Sequence, residues 1–139
     1  WKNLETERAL ELARRAVEIK PDYHQGWYNL GNCHYLDRRF DEAAGAYRRA
    51  IELSPRFAQA RSMLGKAFYD AKRFEESRVA FEETLEVRAD DVEALFHLGL
   101  MASQDESTRP AALGYLKRYL AAGGDDPRVT EWVRDLEQR

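Results

Sequence analysis

Three histidines and one cysteine are the residues of this 139-residue chain best suited to metal binding or nucleophilic chemistry: His24, His34, His97 and Cys33. Their spacing supports neither use. No two histidines stand in the i, i+4 relation of an HExxH metal site. Cys33 and His34 are neighbours, and neighbours on a helix point about 100° apart, so a thiol and its base would not face each other. His97 and Glu93 are an i, i+4 pair on one helix, which is enough for a surface contact and too little for a site. No glycine-rich run precedes a Lys or a Ser/Thr, so there is no phosphate loop. No enzyme activity, metal or cofactor is expected from these residues.

The chemistry left over is that of surfaces. The chain is 44% hydrophobic and 34% charged, the composition of a domain with a core rather than of a disordered segment. No apolar run approaches the ~18 residues of a membrane span, and no signal peptide is visible. The net charge of −3 argues against nucleic acid as the main partner. The arginine pairs Arg14-Arg15, Arg38-Arg39 and Arg48-Arg49 read as a solvated face salted with Asp and Glu. A single cysteine excludes an internal disulfide. The compartment stays open between the cytoplasm, slightly favoured, and the periplasm. Arginine in place of lysine points to a GC-rich, bacterial genome. The start at Trp1 without Met is read as the loss of an upstream segment.

The elements that carry these residues recur at a fixed stride. Gly31, Gly65 and Gly99 stand 34 residues apart, each after a leucine: Leu30, Leu64 and Leu98. Pro21 and Pro55, Ala9 and Ala43, and Tyr47, Phe81 and Tyr115 keep the same stride. Apolar residues at helical spacing predict helices over 6–20, 24–36, 41–53, 57–71, 74–87, 92–103, 110–122 and 127–138, with no sustained alternation for a strand. Pro21 and Pro55 stop helices, and Gly123-Gly124 and Pro127 punctuate the end. Pro110 suits a first helical turn, with Ser107 or Thr108 as cap. Val129, Trp132, Val133 and Leu136 give the last helix one apolar stripe under a charged outer face, as a terminal cap requires.

This set resembles the tetratricopeptide repeat. The best match is 24–57, with Trp27, Leu30, Gly31, Ala43, Tyr47, Ala50 and Pro55 on motif positions. The stretch 58–91 matches at Leu64, Gly65, Phe68 and Phe81, and departs at Arg61 for Trp, Ser77 and Thr84 for Ala, and Ala89 for Pro. The stretch 92–125 matches at Leu98, Gly99, Ala111 and Tyr115. Residues 5–23 hold only the second half of a repeat, with Ala9, Ala16 and Pro21, and 126–139 form the capping helix. The resemblance implies one all-α domain: an α-solenoid of antiparallel helix pairs, wound as a right-handed superhelix whose first helices line a concave groove.

It also implies a protein–protein interaction scaffold that holds a peptide or helix in that groove. The groove positions carried over from the family are Gln25, Tyr28, Asn29, Asn32 and Tyr35; then Gln59, Ser62, Met63, Lys66, Tyr69 and Asp70; then Glu93, Phe96, His97 and Leu100. Aromatic anchors among hydrogen-bonding groups suit a peptide. Tyr28, Tyr35, Tyr69 and Phe96 have a second reading as rings packed between neighbouring helices. One version of the family grips a C-terminal carboxylate at the positions of Tyr28, Asn32, Met63, Glu93 and His97. Only Asn32 agrees and Glu93 has the wrong sign, so that mode is not expected. Alternatives are an RNA-binding helical repeat, motivated by the arginine pairs, and self-association. The apolar face of the first helix lacks its usual partner and must be covered by an upstream segment, by Trp1 and Leu4, or by another copy.

Overall fold

Prolines, acidic caps and short polar turns cut the chain into helices close to the expected bounds. The computed structural model describes residues 3–139. Its elements are α1 (Leu4–Ile19), α2 (His24–Leu36), α3 (Phe40–Leu53), α4 (Ala58–Asp70), α5 (Phe74–Val87), α6 (Val92–Ala102), α7 (Arg109–Ala121) and α8 (Pro127–Glu137), with one 3-10 turn at Glu106–Thr108. No strand occurs among the described residues. Helix α1 starts two residues before the expected bound because the Asn3 side chain accepts a hydrogen bond from the Glu5 amide at 3.0 Å. Two compact units divide within α5, after Ser77.

In the first unit, α1 packs on α2, α2 on α3 and α3 on α4. The α2–α3 turn is closed by Arg38 in the left-handed region (φ 58°) and by the Arg39 amide bonding the His34 carbonyl at 2.9 Å. Lys72 repeats this 34 residues on (φ 62°), with the Arg73 amide on the Phe68 carbonyl at 2.8 Å. Helices α2 and α3 meet at Gly31, where a Cβ would lie 2.6 Å from the Tyr47 ring. Tyr47, Ala43 and Ala50 are fully buried. Helix α1 buries Ala13 and Val17 against α2. Its other stripe is open: Leu12 is 61% and Ile19 81% exposed, whereas Ala46, 34 residues after Leu12, is buried. Of the covers expected within this chain, Leu4 is itself 79% exposed and Trp1 lies outside the described residues.

The departures from the repeat motif are chemically matched. Trp27 donates its indole N–H to the Pro21 carbonyl at 2.8 Å, and Arg61, in the place of Trp, donates its Nε–H to the Pro55 carbonyl at 2.9 Å. The third such carbonyl, on Ala89, receives Arg118 from α7 at 2.9 Å. The Ser77 hydroxyl, fully buried, donates to the Gly65 carbonyl at 2.8 Å. The Thr84 hydroxyl donates to Ala80 one turn back at 2.8 Å. Each hydroxyl that replaces an alanine therefore brings its own acceptor.

The second unit corrects one expectation. Ala111 and Tyr115 were expected to pack on α6: Tyr115 does pack against Ala94 and Leu98, though only half-buried, but Ala111 is exposed. Ala112 and Leu116 take the fully buried places, at 0% and 1% exposure, and a Cβ on Gly99 would meet the Leu116 side chain at 2.6 Å. Gly31 to Tyr47 spans 16 residues; Gly99 to Leu116 spans 17. The turn causes the slip. No residue here adopts positive φ as Arg38 and Lys72 do. Instead Asp105 accepts from the Ser107 amide at 2.8 Å and sets up the 3-10 turn. Thr108 was a candidate cap for α7, yet its hydroxyl turns back to the Ala102 carbonyl at 2.6 Å. One extra residue rotates α7 by about 100°, which brings the adjacent apolar set inward. Helix α8 closes this unit with Val129 and Val133 packed beside Leu95, Leu116 and Tyr119.

Among the described residues, His34 is the one core residue with an unmet side-chain polar atom: it is 7% exposed and its Nδ1 has no hydrogen-bond partner. Burial pushes its pKa below the ordinary 6.5, and Arg14 and Arg39 push the same way against Glu42 and Asp37. Phe68 holds the same place in the next repeat.

Two predictions follow from this packing, both read from urea-unfolding midpoints. Gly45, on the open side of α3 with nothing within 4 Å of its Cβ position, should gain about 1 kcal/mol as Gly45→Ala. Gly31→Ala should instead lose roughly 1–3 kcal/mol through its clash with Tyr47. His34→Phe should gain about 1 kcal/mol at pH 8. The wild type, whose folded state disfavours protonated His34, keeps its full stability above 6.5 and should lose it relative to His34→Phe as pH falls through and below that value. Parallel pH curves for the two proteins would contradict this.

Candidate partner-binding surface

The first helices of the pairs, α2 and α4 in the first unit and α6 in the second, carry every residue assigned to the groove. In the first unit the core behind α2 orients its polar groups. The buried Tyr47 hydroxyl donates to Asn32 Oδ1 at 2.7 Å, and burial pushes the Tyr47 phenol far above its ordinary pKa, so it remains a donor. With Oδ1 held inward, the Asn32 amide presents its NH2 group on the other side. One turn away, Gln25 Nε2 donates to Asn29 Oδ1 at 3.2 Å. The Tyr35 hydroxyl donates to Asp70 of α4, and the Lys66 ammonium sits 5.9 Å from the centre of the Tyr35 ring. These contacts link α2 and α4 into one polar face with a positive and a negative group.

The tyrosines divide between surface and support. Tyr28 packs between the rings of Tyr47 at 5.9 Å and Phe57 at 4.9 Å. Tyr69 meets Phe74 edge-on at 5.3 Å. Tyr28, Tyr35 and Tyr69 are all half-buried, so each ring serves the core while one edge stays accessible. Asn29 and Gln59 are exposed, and Met63, Lys66 and Asp70 half-buried. Ser62 is buried at 7% exposure and lies under the surface rather than on it.

In the second unit Phe96 is half-buried, its ring 5.8 Å from Tyr119 and 6.1 Å from Trp132. His97 is buried, stacked on Phe81 at 4.8 Å with the rings 12° apart, and its Nδ1 bonds the Glu93 carbonyl at 2.8 Å. It acts as a core aromatic. Glu93 is exposed, and Leu100 lines a cavity of about 290 Å³ together with Leu116, Trp132 and Leu136. Trp132 was read as part of the apolar stripe of the last helix and not as a site residue.

The residues examined for chemistry are engaged otherwise. His24 packs against Tyr23 at 5.6 Å and Phe57 at 5.2 Å. Cys33 is half-buried, and burial raises its thiol pKa, so it is not a ready nucleophile. Arg39 pairs with Asp37 at 3.0 Å, Arg49 with Glu52 at 3.0 Å and Arg48 with Glu76 at 3.8 Å. Arg38 covers Phe40. These four arginines are therefore engaged locally rather than forming a basic stripe. No described helix is long and apolar enough to cross a membrane.

Comparison with known proteins bears on the family and the fold. Two tetratricopeptide repeat family models match, one over residues 1–60 and one over residues 35–103. No curated protein matches in a sequence search. Among solved structures, two crystal structures of MamA share 24% identity over 84% of this chain, with TM-scores of 0.77 and 0.74. The chain spans 68% and 63% of those two MamA chains. The tetratricopeptide repeat domain of OM64 from Arabidopsis shares 16% identity over 84% of this chain and 95% of its own length, with a TM-score of 0.72. At these identities the likeness is one of fold, an all-α solenoid of paired helices. With the family models covering residues 1–103 between them, the chain belongs to the tetratricopeptide repeat family.

Proposed function

We propose that this chain holds a peptide or helix of a partner protein on the faces of its first helices, α2 and α4 in the first unit and α6 in the second. The family is one of protein–protein interaction scaffolds of a non-enzymatic kind, which supplies the general class. The observation that carries the finer reading is the Tyr47–Asn32 bond. A buried hydroxyl spends its hydrogen bond on orienting a surface amide. The amide then offers two donors to a backbone carbonyl of an extended chain, with little further loss of side-chain freedom on binding. Tyr28, Tyr35 and Tyr69 flank it as rigid, half-buried anchors, and the Lys66 and Asp70 charges set direction. The RNA-binding alternative loses its motive where Arg39, Arg48 and Arg49 pair with acidic neighbours.

The test is read beside a control for folding. Asn29→Ala, Lys66→Ala and Tyr69→Ala together should weaken capture of the native partner at least tenfold while circular dichroism stays that of the wild type. Arg49→Ala with Glu83→Ala, on the second helices, should leave capture unchanged. Full capture by the triple variant would remove the site from this face.

A further inference from the structure

The cavity in the second unit sits where a ring is missing. Tyr35, Tyr69 and Ser103 occupy one position at the 34-residue stride. Phe40 and Phe74 begin the second helices of the first two pairs, where Arg109 begins α7 once the extra residue of the turn is counted. In the first two repeats these are aromatic pairs, Tyr35 with Phe40 at 5.7 Å and Tyr69 with Phe74 at 5.3 Å. In the third both rings are gone. The Ser103 hydroxyl turns to the Leu100 carbonyl at 2.7 Å, and Thr108 turns to Ala102. The space left behind, about 290 Å³, has Leu100, Leu116, Trp132 and Leu136 as apolar walls, with Ser103 at its edge.

The correspondence extends to the rim. Tyr35 touches Lys66 across its ring and Asp70 at its hydroxyl. Once the extra residue of the third repeat is counted, the residues at those places are Asp135 and Arg139, and both line the cavity. The signs are reversed there, Asp135 in the place of Lys66 and Arg139 in that of Asp70, so the second unit keeps the space of the Tyr35 ring but neither the ring nor its charge contacts. Arg109 also lines the cavity, and it pairs with Glu106 at 3.5 Å.

We infer that this cavity is a socket for one aromatic side chain of a partner polypeptide. The inference rests on the reading of the chain as a binder of protein segments, and adds to it the kind of residue that is bound. An aromatic ring brings a large apolar area on few rotatable bonds, which suits a preformed pocket.

The test uses the whole chain and two defined probes, N-acetyl-phenylalaninamide and its alanine analogue. The Trp132 indole resonance is followed by NMR. The phenylalanine probe should shift it saturably in the millimolar range and the alanine probe should not. Ser103→Tyr should refill the space, raise the unfolding midpoint and abolish the shift. No saturable Trp132 shift in the wild type would overturn the socket. So would an undiminished shift in a folded Ser103→Tyr protein. Because the probes need no partner, the socket can fail while capture through Asn29 and Lys66 stands, and the reverse.

Discussion

Gly31 lies flat against the Tyr47 ring, at a distance where a methyl group in its place would stand 2.6 Å from the nearest ring carbon. Most of what is distinctive here depends on that approach. The absence of one side chain lets α2 and α3 close on each other, and the ring fills the space on either side of the crossing. Tyr47 is fully buried as a result, and its hydroxyl emerges next to α2 and fastens Asn32. A packing constraint thereby becomes an orienting device for the surface. In the second unit Gly99 makes the same approach to a branched aliphatic chain, Leu116, which has no hydroxyl to offer. The two units share one way of packing helices and differ in what that packing presents.

Much of this was legible in the residues themselves. A glycine after a leucine every 34 positions marks the crossings, and prolines and polar triplets mark the turns, because backbone constraints act locally and do not depend on distant partners. Arg61, Ser77 and Thr84 looked like losses from the motif. They proved to be exchanges of one donor for another, or of a methyl for a hydroxyl that bonds a nearby carbonyl. A motif scored by residue type misses such equivalence; one scored by donors and acceptors would find it.

The third repeat shows why register was harder to read. Ala111 and Ala112 are both small, and Tyr115 and Leu116 are both large and apolar, so two adjacent phases of α7 satisfy the same pattern. The choice is made by the turn, where Asp105 and Thr108 hold one more residue than the turns at Arg38 and Lys72. Two site residues were misplaced for a different reason. Ser62 and His97 sit at positions assigned to the surface, yet they are buried, because a helix face a hundred degrees wide leaves its edge positions to be decided by neighbours. Trp132 and Ser103 drew no notice as binding residues, although the run Tyr35, Tyr69, Ser103 was visible at the repeat stride.

The central claim is that packing at the glycine crossings commits the second helices to the core and leaves the first-helix faces to partners. Site-specific photocrosslinking tests it most directly. A photoreactive phenylalanine analogue is placed at Gln59 or Lys66 on a first helix, and at Arg49 or Glu83 on a second, in the cell that makes the protein. Adducts to a partner protein from Gln59 and Lys66, with none from Arg49 and Glu83, are the predicted result. Adducts from the second-helix positions alone would contradict the account.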